Sequence, residues 1–159
     1  MSTEIFGVKD LLESLVRLEQ NGYKFYNKAS EKFDNLEIRE FFKFLAEQEL
    51  GHEELYKKLA EEVSNSNSNT SRQSYDNEYN DYLKSLVENS FSFELDENLS
   101  DVKSVYKFSI GLEKDTIIFI GEIRRLMPDF NPEIFDRVEK EERSHIKLIN
   151  DWYNKYIGR

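Results

Sequence analysis

Both histidines of this chain, His52 and His145, follow a glutamate by three residues, in Glu49-x-x-His52 and Glu142-x-x-His145. Residues three apart share one face of a helix. Each pair therefore presents a carboxylate and an imidazole together, a ready pair of metal ligands. The pairs lie 93 residues apart, and at that offset Phe42 also matches Phe135 and Leu55 matches Leu148. At an offset of 94, Glu19-Gln-Asn-Gly-Tyr-Lys-Phe-Tyr26 stands opposite Glu113-Lys-Asp-Thr-Ile-Ile-Phe-Ile120, and Leu18 opposite Leu112. Each half of the chain reads as one helix with an inward glutamate followed by one helix with Glu-x-x-His. The chain is a duplicated two-helix hairpin whose polar residues form two halves of one site.

The competing reading is a set of solvated helix faces in a Glu-rich chain, and the neighbours decide against it. Glu19 lies in an apolar stripe, with Leu12, Leu15 and Leu18 before it and Tyr23 and Tyr26 after it; Glu113 lies between Leu112 and the run Ile117 to Ile120. Carboxylates on such faces are costly unless paired or bound to metal. Glu53, Glu54, Glu61 and Glu62 carry no such signal and are expected in solvent.

Helical periodicity predicts four long helices: Ile5 to Lys32, Leu36 to Val63, a third from an N-cap at Ser100 to Met127, and a fourth to Ile157. The fourth begins at Asn131-Pro132-Glu133, with Asn as N-cap, Pro at the first helical position and Glu in the first turn. Short connections around Asp34 and through MPDFNP make the paired helices antiparallel neighbours. Between the second and third long helices lie nearly forty residues. Ser64 to Ser74 is a polar low-complexity linker, Tyr75 to Phe91 a weaker amphipathic helix, and Ser92 to Asn98 extended. The expected fold is all-α: a four-helix bundle forming a single domain over residues 1–159, with one long crossover containing a short helix and hairpins at about 5–63 and 100–157.

Six glycines and two prolines in 159 residues encode few turns, in keeping with long helices. The net charge of -10 disfavours nucleic acid and anionic membranes as partners and favours cations. With no cysteine, thiol catalysis, disulfides, iron–sulfur clusters and Cys-based zinc sites are excluded. No signal peptide and no apolar run long enough to span a bilayer is visible, so the protein is expected in the cytoplasm.

With these residues in place, the chain resembles the rubrerythrin-like branch of the ferritin-like di-iron carboxylate proteins. Their pattern is one Glu from each of two helices and Glu-x-x-His from each of the other two. Phrases such as Glu-Gln-Asn-Gly-Tyr-Lys-Phe-Tyr and Glu-Glu-Arg-Ser-His are typical of that branch. The resemblance implies six metal ligands, Glu19, Glu49, His52, Glu113, Glu142 and His145. Glu49 and Glu142 would bridge two iron ions, Glu19 and His52 would serve one, and Glu113 and His145 the other; Mn or Zn are alternatives. Four carboxylates balance two divalent cations. The extra charge of two ferric ions is offset by an oxo or hydroxo bridge, a physical reason for such sites to take up oxygen or peroxide.

The implied function is redox chemistry: oxidation of ferrous iron, or reduction of oxygen or peroxide, as in oxidative-stress defence. The absence of cysteine means no rubredoxin-like domain, so electrons come from an external donor protein. Typical rubrerythrins carry a further glutamate three residues after the third-helix ligand, and here that position is Thr116. A non-catalytic metal-binding or sensing bundle, or a two-metal Mn or Zn site, is the alternative. A degenerate bundle that only mediates assembly is disfavoured, since all six positions are intact. A homodimer or larger homo-oligomer is expected. Beyond the metal ligands no catalytic residue is expected: Tyr26 is read first as a core tyrosine with a satisfied hydroxyl, the alternative being that it hydrogen-bonds near a ligand or relays an electron. Trp152 and Tyr153 pack a bundle end or an interface, and Gly51, Gly111 and Gly121 are candidates for close helix approach.

Overall fold

The computed structural model describes residues 6–65, 77–92 and 97–157. The order is α1 (Val8–Lys32), α2 (Leu36–Asn65), α3 (Asn77–Ser90), a short 3₁₀ turn (Glu97–Leu99), α4 (Val102–Leu126) and α5 (Pro132–Ile157). The four long helices and the shorter crossover helix are those expected from periodicity, with ends shifted by a few residues. The Ser64–Ser74 linker falls mostly outside the described residues, as do Ile5, Tyr75, Gly158 and residues 93–96 of the stretch expected to be extended. Glu97 and Asn98 of that stretch lie in the helical turn instead.

Local chemistry sets the helix ends. The Asp10 carboxylate accepts the backbone N–H of Gly7 at 2.8 Å, satisfying a donor just before α1. The N-cap of α4 is Asp101, not Ser100: its side chain accepts from Ser104 N at 2.7 Å. Pro132 opens α5, where its missing N–H costs nothing. The side chain of Asn131 donates to Glu62 Oε2 at 2.9 Å, so this residue ties the α4–α5 loop to α2.

The hairpin partners run antiparallel, as the contacts show. Phe33 stacks on Phe42 near the α1–α2 turn, and Gln20 meets Glu53 further along. In the second hairpin Tyr106 stacks on Tyr153, and Arg124 reaches Glu139 near the turn. The apolar stripes close into two clusters. One joins Leu11, Leu15 and Leu18 with Tyr56, Leu59, Phe119, Ile120, Ile123, Phe135 and Val138. The other joins Phe25, Tyr26 and Ala29 with Phe42, Leu45, Ala46, Val105, Leu112 and Ile149. On every long helix the residues between these sets include the glutamates and histidines singled out above.

The chain leaves α2 at the first cluster and enters α4 at the second, so the crossover spans the bundle. Its helix α3 inserts Leu83, fully buried, into the first cluster. It is fastened further by Phe6 N–H donating to Asn80 Oδ1 at 2.9 Å and by the Arg17 guanidinium 3.9 Å from the Phe91 ring centroid. At the other end Trp152 packs against Phe33, Phe41 and Phe42, a bundle-end role for this residue. Among the described residues no helix is long and apolar enough to cross a membrane.

Candidate metal centre

The stripe of each helix turns inward at mid-height and carries polar groups there. Glu19 from α1, Glu49 and His52 from α2, Glu113 from α4, and Glu142 and His145 from α5 are all buried, none more than 6% exposed. They form two overlapping groups. Ligand atoms of Glu19, Glu49 and His52 lie within 4.8 Å of one another, as do those of Glu49, Glu113, Glu142 and His145. Glu49 belongs to both.

Glu142 also spans both halves. Its Oε1 lies 2.8 Å from His52 Nδ1, and its Oε2 lies 3.2 Å from His145 Nδ1. Within each half, Glu19 Oε2 is 4.0 Å from His52 Nδ1, and Glu113 Oε2 is 3.5 Å from His145 Nδ1. The two imidazoles thus turn the same nitrogen inward, with ring centroids 5.8 Å apart. These distances set two glutamates between the halves and one Glu and one His within each.

Electrostatics mark the layer as unsatisfied by protein atoms alone. Burial, then the Glu142 charge, pushes Glu19 well above the ordinary carboxylate range. Burial with the charges of Glu19 and Glu113 does the same to Glu49. Glu113 is raised to about 7 by burial and Glu142, with His145 opposing. Burial acts against charge on the imidazoles, but the facing carboxylates, which accept from the ring N–H groups, win. His52 is raised to about 9 through Glu142 and Glu141, and His145 to about 10 through Glu113 and Glu142. Glu142, despite its burial, is held low by His145 and His52.

Both oxygens of Glu19 and Glu49 Oε1 are buried without a hydrogen-bond partner, while Glu142 Oε1 and His52 Nδ1 face each other as an ion pair at 2.8 Å. Such groups are costly to bury unpaired. Two divalent cations would satisfy carboxylate oxygens and imidazole nitrogens together and cancel four negative charges, so these residues fit a metal pair.

Several contributors escaped the sequence reading. Glu141 Oε2 lies 2.8 Å from His52 Nε2; a proton held there leaves the Nδ1 lone pair facing inward. Gly22 is the glycine of close approach. A Cβ on it would lie 2.7 Å from Glu49 Oε2, whereas Gly51, Gly111 and Gly121 have nothing within 4 Å. Glu53, expected in solvent, is buried: it accepts from Gln20 Nε2 at 2.7 Å and pairs with Lys57 at 3.2 Å. Of the others expected there, Glu54, Glu61 and Glu62 are exposed. Tyr26 is more than core, since its hydroxyl donates to Glu113 Oε1 at 2.7 Å. Thr116 is buried and spends its hydroxyl on the Leu112 carbonyl at 3.1 Å. Tyr56 lies fully buried beside His52. Glu141 just before Glu142, Glu53 just after His52 and Gly22 three residues after Glu19 were visible in sequence, but nothing there distinguished them from surface neighbours.

A helical bundle with one long crossover and a buried layer of Glu and Glu-x-x-His groups defines the ferritin-like class of two-metal carboxylate proteins. The rubrerythrin family profile matches residues 10–108, more than half of the chain, and the chain belongs to that family. A crystal structure from Thermotoga maritima, described as a ferritin-like diiron-carboxylate protein, superposes with a TM-score of 0.70 at 22% identity, covering 98% of this chain and 99% of that one. At that identity the likeness speaks for the fold. No curated protein matches the chain. The family match contains Glu19, Glu49 and His52; for Glu113, Glu142 and His145 the case rests on the internal repeat and on the geometry.

Proposed function

We propose that Glu19, Glu49, His52, Glu113, Glu142 and His145 hold two iron ions, and that the protein is a di-iron oxidoreductase. It oxidises ferrous iron, or reduces oxygen or peroxide with electrons from an external donor protein. The observation that carries this reading is the pair of overlapping ligand groups sharing Glu49 and spanned by Glu142, with buried carboxylate oxygens of Glu19 and Glu49 left unpaired at their centre. Iron supplies reversible one-electron oxidation in a site whose acidic ligands suit either charge state.

The chain's own groups do the rest. Apolar side chains above and below the layer exclude water and strengthen every interaction within it. Glu141 holds His52 in the tautomer that presents Nδ1. Tyr26 fixes the Glu113 carboxylate by donating to its outer oxygen. We place this work in the cytoplasm, in a homodimer or larger homo-oligomer, with neither nucleic acid nor membrane as partner.

One observation favours the second reading, a metal-binding or sensing module or a Mn or Zn pair. The Thr116 hydroxyl is committed to its own helix, so this position brings no seventh ligand. The experiment that separates the two is anaerobic loading with ferrous ion followed by oxygen or peroxide. The enzyme reading expects two metals per chain and oxidant consumed over repeated turnovers; a binding module takes up metal and stops. Glu49→Ala and Glu142→Ala are each expected to lose two-metal binding, and full metal content in both variants would defeat the site assignment.

A further inference from the structure

Two tyrosines flank the carboxylate layer, one in each apolar cluster. Tyr26 has its hydroxyl committed to Glu113. Tyr56 sits on the opposite side, one helical turn beyond His52, with the two ring centroids 6.1 Å apart. It is fully buried, and its hydroxyl has no hydrogen-bond partner. A phenol in that position is unfavourable without an acceptor, and a phenylalanine would fill the same space.

The Glu19–His52 half of the centre beside it is itself short of partners: both Glu19 oxygens are buried without a hydrogen bond, and His52 Nδ1 faces Glu142 Oε1 at 2.8 Å and Glu19 Oε2 at 4.0 Å. Cations satisfy the carboxylates and the imidazole. They leave the Tyr56 O–H without an acceptor, because a cation accepts no hydrogen bond. The Glu113 half lacks this demand, since Tyr26 is already paired there. At the offset of the repeat, Tyr56 stands opposite Ile149, so a second donor does not arise by symmetry.

We propose that Tyr56 is a positioning residue for a small exogenous oxygen ligand, the size of water or hydrogen peroxide, held against the Glu19–His52 half of the metal pair. The proposal rests on the two-metal reading above. It gives the centre one receptive side, with the hydroxyl as the donor that orients the incoming ligand.

Azide, a small anion able to accept a hydrogen bond, serves as the probe. Wild-type protein and Tyr56→Phe are loaded with iron, oxidised, assayed for iron content and titrated with azide by its charge-transfer absorption. Two irons per chain are expected in both. The variant should bind azide about tenfold more weakly, the loss of one hydrogen bond to a charged acceptor. The azide antisymmetric stretch should shift in deuterated water in the wild type and not in the variant. Equal azide affinity at full iron content overturns the proposal. So does loss of iron from Tyr56→Phe, which would make the hydroxyl a support for Glu19 instead. Failure of the wild type to hold two irons would defeat the metal-pair reading itself, and this inference with it.

Discussion

Gly22 sets how closely α1 can approach the Glu49 carboxylate. A methyl group there would lie 2.7 Å from Oε2, inside any real contact, and the carboxylate would have to move. Alanine is otherwise about 1 kcal/mol better than glycine within a helix. Gly51→Ala, which meets nothing within 4 Å, should therefore raise the melting temperature and leave metal uptake unchanged. Gly22→Ala should keep its helical circular dichroism yet bind metal more weakly, as read by titration. Equal metal affinity in the two variants would deny Gly22 its role. Glu141 acts one step further out, through His52 Nε2. Glu141→Gln should lower metal affinity by roughly 10–100-fold, the usual effect of losing a partner behind a ligand.

Among the elements, the crossover helix α3 depends most on tertiary packing. Its stripe is weak in sequence, and a single fully buried side chain, Leu83, seats it in the core. Leu83→Ala should cost about 2–5 kcal/mol by chemical denaturation, while iron content at saturation stays at the wild-type value because no proposed ligand lies on α3. A loss well below that range would mean α3 is not part of the cooperative unit. The long helices were legible because apolar residues recur at three- and four-residue spacing along each of them. Their ends were less so. Ser100 and Asp101 are both good caps by composition, and only the chain direction entering α4 put the Asp101 carboxylate on the Ser104 N–H. Glu53 was misplaced for a similar reason: a glutamate beside a histidine looks solvated until α1 brings Gln20 against it.

For the whole molecule, the buried titratable groups link metal, protons and stability. Without metal, His52 and His145 are raised from 6.5 to about 9 and about 10. Their contribution to stability is therefore complete below about pH 6.5 and lost as pH rises through 9 to 10. Glu113, raised to about 7, acts in the same direction: folding weakens as pH climbs from its unfolded value of 4.5. Glu142, held low, opposes them only in acid, its stabilisation fading as pH falls below the ordinary carboxylate range. The metal-free protein should thus lose melting temperature from about pH 6 to pH 10. Metal displaces these protons, so its affinity should rise over the same interval, with protons released in proportion. Calorimetric titration in two buffers of different ionisation heat measures that release; uptake without proton release would mean that these groups do not ligate.

The sequence by itself determined the helices, their duplication and six residues of the candidate site, because helical period and the matched offset are properties of the chain. The tertiary structure decided what those residues meet. It drew Glu142 between the two histidines, set Gly22 against Glu49, tied Tyr26 to Glu113, and left the Tyr56 hydroxyl unpaired beside the layer. The contacts of Gly22 with Glu49, Tyr26 with Glu113 and His52 with Glu142 join groups of different helices, 27 or more residues apart, and such distances are fixed only when the apolar clusters on either side have packed. The two Glu-x-x-His pairs pointed to a candidate centre; packing set Glu49 and Glu142 between its two halves and enclosed the layer between apolar clusters.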